Sequence, residues 1–211
     1  MDIQREFYFP TYKHALQVDF DENNPSSLRE AQAGAYWAVR SHFTESSDKC
    51  VVIMPTGSGK TALMTLISFS VVATRLLIVV PSRVIREQIA KEFRSLQVAK
   101  DSGSIPPDLP TPNILVVEHQ LVSKEAWDDL YAYDVVIATP NCVSPKHKSV
   151  FSDPPKDIFD TIFFDEAHHL PATTWAELVN YFEQAKIVSF TATPFRNDKL
   201  LIPAIPSPIT G

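Results

Sequence analysis

The run Met54, Pro55, Thr56, Gly57, Ser58, Gly59, Lys60, Thr61 combines glycines, a lysine and a hydroxyl side chain at the spacing of a phosphate-binding loop. Glycines let successive backbone N–H groups converge on phosphate oxygens, and the N-terminus of a following helix adds positive potential. In that geometry Lys60 binds the outer phosphates as a point charge and the Thr61 hydroxyl ligates Mg²⁺. Met54 stands where the general pattern has a glycine, a position that makes no special backbone demand. Further along, the apolar run from Thr161 to Phe164 ends in two adjacent carboxylates, Asp165 and Glu166. Strand ends of this kind are where ligands gather in open α/β sheets. Asp165 suits Mg²⁺ held through its water shell, and Glu166 suits accepting a proton from a water that attacks the terminal phosphate of ATP.

These groups need a scaffold, and the hydrophobic pattern supplies one. Short, continuous apolar runs at Cys50 to Ile53, Leu76 to Val80, Asn113 to Val117, Val135 to Ala138, Thr161 to Phe164 and Ile187 to Phe190 predict strands buried on both faces. Helical stretches after Gly59, after Ser82 and from Ala172 to Gln184 supply crossovers between them. The fold class is therefore α/β, a three-layer domain with a mostly parallel central sheet covered by helices. Leu28, Ala31, Ala35, Val39 and Phe43 recur at helical steps behind Ser27 and Glu30, which have the spacing of a capping box. Residues 1–25 read as an extended aromatic N-terminal arm, 26–198 as the domain, and the Pro-rich 199–211 as a tail or linker.

A formal net charge of −6 excludes a histone-like role, because non-specific phosphate binding needs a positive surface. The stretch from Arg75 to Lys100 is locally basic, so one face is able to meet a polyanion. Cys50 and Cys142 have no zinc-ligand or disulfide spacing, and no apolar run approaches bilayer length. With no basic, apolar leader at Met1, the expectation is a cytoplasmic protein without membrane contact.

The ordered motifs resemble superfamily 2 helicases and translocases of the DEAD/DEAH type, in particular the restriction-enzyme-like branch, over Leu28 to about Asp198. The resemblance implies a P-loop NTPase, RecA-like first lobe. It makes Gln32, in Leu28-Arg29-Glu30-Ala31-Gln32, a contact for adenine. It assigns Pro81, Ser82 and Arg83, with Thr139, Pro140 and Asn141, to a track that touches the backbone phosphates of DNA or RNA. His168, in Asp165-Glu166-Ala167-His168, would bridge the ATP site to Thr191 and Thr193, a motif extended by Pro194, Phe195 and Arg196. It also implies a second RecA-like lobe, in cis or in trans, that closes over ATP and brings an arginine finger; nothing after Arg196 offers one.

The expected function is therefore an ATP- and Mg²⁺-dependent motor lobe, nearly inactive by itself. The rival is a non-hydrolysing, nucleotide-gated binding or scaffold module, against which the joint retention of Lys60, Thr61, Asp165 and Glu166 speaks. A P-loop kinase or GTPase has no use for the motifs at Thr139 and Thr191. Trp37, Trp127 and Trp175 lie in helical contexts and read as core residues.

Overall fold

The computed structural model of the chain describes residues 5–21, 23–24, 26–145, 154–166, 172–193 and 209–210. The predicted strands form within one residue of their expected ends: β1 (Cys50–Ile53), β2 (Leu76–Val79), β3 (Ile114–Val117), β4 (Val135–Ala138), β5 (Thr161–Asp165) and β6 (Lys186–Thr191). A two-residue strand, β7 (Ile209–Thr210), pairs with Val52 and Ile53 of β1. The Pro-rich composition around it gave no sign of a strand. All pairings are parallel, in the order β3-β4-β2-β5-β6-β1-β7. Because the strands run the same way, their C-terminal ends share one edge. Ile53 aligns with Thr191, Phe190 with Asp165, and Val79 with both Phe164 and Ala138.

The helices are α1 (Tyr8–Tyr12), α2 (Glu30–Glu45), α3 (Lys60–Ser70), α4 (Arg83–Ser95), α5 (Gln97–Asp101), α6 (Lys124–Asp128) and α7 (Ala172–Tyr181). They cover both faces of the sheet, and strand alternation sorts the core into two clusters. Val52, Ile78, Ile137, Phe163 and Val188 pack with Leu63, Ile67, Phe93 and Val39 on one side. Val51, Leu77, Val136, Phe164 and Ile187 pack with Trp127, Leu178 and Phe182 on the other. Phe163 and Phe190 meet edge to face at 5.4 Å, a geometry that contributes about 0.5–1.5 kcal/mol beyond burial alone.

Three local expectations are corrected. Ser27 is not the cap of α2; its hydroxyl accepts from Asp21 N at 3.0 Å, and the cap position is Arg29, whose N–H donates to Gln32 Oε1 at 2.9 Å. The N-terminal aromatics are not an extended arm throughout. Tyr8 and Phe9 sit on α1 and stack edge to face on Phe69 of α3, which closes one turn of helix over the core. Trp127 and Trp175 are buried as expected, but Trp37 is 50% exposed on the outer side of α2, with the Arg40 guanidinium 5.2 Å above its ring.

Cys50 and Cys142 are free and buried. Among the described residues no helix is long and apolar enough to cross a membrane.

Candidate nucleotide site and adjoining groove

Residues 54–59 leave β1 at the C-terminal edge of the sheet and deliver the chain to α3, the context the phosphate-loop reading requires. Met54 N–H donates to Thr191 O at 2.9 Å, which fixes the loop's entry against the end of β6. Gly57 and Gly59 take φ values of +78° and +91°, which L side chains rarely adopt. Gly59 has a second reason to be glycine: a Cβ there would collide with the side-chain amide of Gln32.

Gln32 does two jobs at once. Its Oε1 caps α2, and its Nε2 donates to Gly59 O at 3.1 Å, while Arg29 Nη1 donates to Gly57 O at 2.7 Å. The N-terminus of α2 is thereby tied to the loop. A cavity of about 380 Å³ opens beside this tie, lined in part by Leu28, Arg29, Gln32, Gly59, Thr61 and Val98.

Lys60 is enclosed and its Nζ lies 2.6 Å from Glu166 Oε1 and 3.4 Å from Met54 O. Glu166 Oε2 also accepts from Ala192 N at 3.4 Å, beyond the end of β6. One carboxylate thus touches both the phosphate loop and the Thr191 segment. Glu166 itself has φ +49°, a left-handed backbone that costs a non-glycine residue on the order of 1–3 kcal/mol. Strain of that size at a residue with two such contacts is typical of a functional position. Asp165 is 7% exposed. Burial, and then the neighbouring Glu166, push its carboxyl up to about 6, with Lys60 pulling the other way. Thr191 Oγ1 donates to Thr193 O at 2.7 Å and accepts from Thr193 N at 3.2 Å. Thr191 lies between the loop strand and the acidic strand, since β6 separates β1 from β5. His168, and the extension at Pro194, Phe195 and Arg196, lie outside the described residues.

The residue types fit ATP with Mg²⁺. Two glycines take left-handed conformations in the loop, Lys60 is an enclosed cation, and Asp165 is a buried carboxylate at the end of β5 on the same sheet edge.

A larger cavity, about 860 Å³, opens farther along the same edge, over the ends of β2, β4 and β3. Pro81, Ser82, Arg83, Thr139, Pro140 and Asn141 all line it. Ser82 caps α4, its Oγ accepting from Ile85 N at 3.3 Å. Arg86 of α4 lines it too, and the segment after β3 joins through Glu118, His119 and Gln120. Sequence reading missed these residues. The parallel register of Val117 with Ala138 brings Glu118, His119 and Gln120 there, and Leu121 N–H donating to Cys142 O at 3.0 Å holds the two loops together.

The family model for "Type III restriction enzyme, res subunit" matches residues 25–196. The chain belongs to that family. It is a first RecA-like lobe of the restriction-enzyme-like branch of superfamily 2, as the order of its motifs implied. Among solved structures it is similar to the UvsW helicase from bacteriophage T4, at 16% identity and TM-score 0.54, covering 90% of this chain and 61% of that one. It is also similar to a Sulfolobus solfataricus SWI2/SNF2 ATPase core in complex with dsDNA, at 17% identity and TM-score 0.54, covering 84% and 34%. A third is a nuclease-deletion mutant of the Type ISP restriction-modification enzyme LlaGI in complex with a DNA substrate mimic, at 20% identity and TM-score 0.55, covering 83% and 18%. These likenesses establish a common fold, and the chain spans less than two thirds of each of these proteins. No curated protein sequence matches.

Proposed function

We propose that residues 26–198 form the ATP-binding motor lobe of a nucleic-acid helicase or translocase. The observation that carries this reading is the 2.6 Å contact between Lys60 Nζ and Glu166 Oε1, which joins the phosphate loop to the acidic strand across β6. The phosphates of ATP would lie in the cradle of Pro55, Thr56, Gly57, Ser58 and Gly59, with Lys60 leaving Glu166 to meet them. Thr61 and Asp165 would hold Mg²⁺, which neutralises phosphate charge when bound. Glu166, released from Lys60, is then an acceptor for the proton of the attacking water, and Thr191 and Thr193 relay the state of the site along β6. The adenine would occupy the cavity beside Gln32.

Lys60→Ala should weaken ATP binding, whereas Glu166→Gln should preserve binding and abolish turnover in a two-lobed enzyme. Isothermal calorimetry with phosphate-release assays separates the two, and equal loss of ATP affinity in both variants would remove the role given to Glu166. The lone lobe should hydrolyse ATP near background. An arginine finger typically contributes about 10³–10⁵ in rate, and a second lobe, in cis or in trans, must bring it. Backbone phosphates of DNA or RNA would lie in the larger groove, at Arg83 and the loop from Thr139 to Asn141. Binding there should be weak and strongly salt-dependent. Free, buried cysteines favour a reducing, cytoplasmic setting.

A further inference from the structure

Arg86 stands in the wall of the larger groove with most of its hydrogen-bonding capacity unused. The residue is 5% exposed. Of its five N–H donors, Nη1 makes one good bond, to Val117 O at 2.8 Å, at the end of β3. Nη2 is 3.4 Å from Glu87 Oε1 and 3.6 Å from Glu118 Oε1, and Nε finds no hydrogen-bond partner among the described residues. A buried guanidinium so weakly partnered is costly, because desolvation of a charge is offset only by close, well-aligned acceptors. The two carboxylates are themselves 55% and 64% exposed. At these distances and in contact with water they bind weakly and are easily displaced.

Arg83 precedes Arg86 by three residues, which sets both on one side of α4 and both on the groove. A phosphodiester is the acceptor that a guanidinium fork matches best.

We propose that Arg86 binds a backbone phosphate of nucleic acid in this groove, taking it in exchange for the carboxylates of Glu87 and Glu118. Those carboxylates balance the buried cation while the groove is empty and weaken binding when it fills. The inference rests on reading the groove as a nucleic-acid track and adds a receptor that the motif pattern does not contain.

The test is fluorescence anisotropy of the full chain with a labelled oligonucleotide duplex across a salt series. Glu118→Gln should tighten binding roughly 1.5- to 5-fold, the worth of an exposed ion pair. Arg86→Gln should weaken it and reduce the slope of log affinity against log salt by about 0.9, one phosphate contact. The decisive outcome is the combination: with Arg86→Gln in place, Glu118→Gln should gain nothing. An undiminished gain in that background means that Glu118 acts as a general negative charge, and overturns the proposal. If Arg86→Gln melts too low to assay, Arg86→Lys replaces it. That variant keeps the charge without the fork, and the Glu118→Gln gain should shrink beside it; an unchanged gain again overturns the proposal. Wild-type binding that ignores Arg83→Ala, or no binding at all, refutes the nucleic-acid reading of the groove and the role of Arg86 with it. Binding that needs Arg83 but is insensitive to Arg86→Gln refutes the Arg86 role alone.

Discussion

Replacing Asp165 by Asn should stabilise the nucleotide-free chain at alkaline pH and do little in acid. The carboxyl is 7% exposed, and burial with the adjacent Glu166 raises it from 3.8 to about 6. A group that binds its proton more tightly when folded contributes stability that is fully present below 3.8 and lost as pH rises through about 6. At about 1.4 kcal/mol for each tenfold change in proton affinity, the wild type forfeits up to about 3 kcal/mol across that window. Asn has nearly the same shape and no charge to desolvate. At pH 8 the variant should therefore melt higher, by roughly 6–12 °C if the full effect is expressed in a chain of this size. At pH 4 the two should nearly coincide. Thermal unfolding followed by circular dichroism at both pH values, in chelator, measures the difference. Equal melting temperatures at pH 8, or a difference of the same size at both pH values, would refute the account of Asp165 as a carboxylate that is costly to ionise. The same variant should lose Mg-dependent nucleotide affinity, so stability and binding should move in opposite directions.

Gly59→Ala should destabilise the loop by more than about 1 kcal/mol, because φ +91° and the collision with Gln32 act together. Calorimetry should show a matching loss of ATP affinity, and wild-type affinity would contradict the assigned tie. Asp134→Ala should cost about 2–4 kcal/mol in urea unfolding. Its buried carboxylate accepts from Arg5 at 2.7 Å, Tyr8 N at 3.3 Å and Asn113 N at 2.8 Å, pinning the N-terminal helix to the start of the sheet; a loss under about 0.5 kcal/mol would show that α1 is held by its aromatics alone.

The six longer strands were legible because a strand buried on both faces must be apolar throughout. Gly57, Gly59 and Lys60 were legible because loop chemistry is local. What escaped the sequence depends on partners distant along the chain. Arg86 looks like any basic residue of an exposed helix until Val117 O is placed beside it by the register of β3. Glu118, His119 and Gln120 belong to no motif and enter the groove only through strand order. Trp37 was read as core from its residue type and helical context, yet it stands two residues from both Ala35 and Val39, on the opposite face of α2, and is exposed. The capping box at Ser27 was misplaced because Ser27 and Glu30 fit the pattern, whereas the cap used is Arg29, a residue type the pattern does not contain, held by Gln32, which is also tied to Gly59.

The left-handed turn at Glu166 follows from the arrangement of the strands. Along β5 the side chains alternate: Phe163 lies in the cluster that contains α3, and Phe164 in the opposite one. Asp165 therefore returns to the α3 side, beside the phosphate loop. A further extended residue would direct its side chain away from α3 again. Glu166 nevertheless has to reach Lys60, at the start of α3 behind a loop that leaves β1, and β1 is separated from β5 by β6, two strand spacings or roughly 10 Å. A backbone reversal to φ +49° breaks the alternation and carries the carboxylate over the end of β6, where it also accepts from Ala192 N. The strain and the two contacts are thus parts of one arrangement, in which adjacent acids of opposite strand parity serve the same face. Since Val79 of β2 aligns with Phe164, the larger groove begins one strand beyond these acids on the same sheet edge. Any displacement of β5 that accompanies Lys60 leaving Glu166 is therefore felt directly by β2, the strand that leads into Pro81, Ser82 and Arg83.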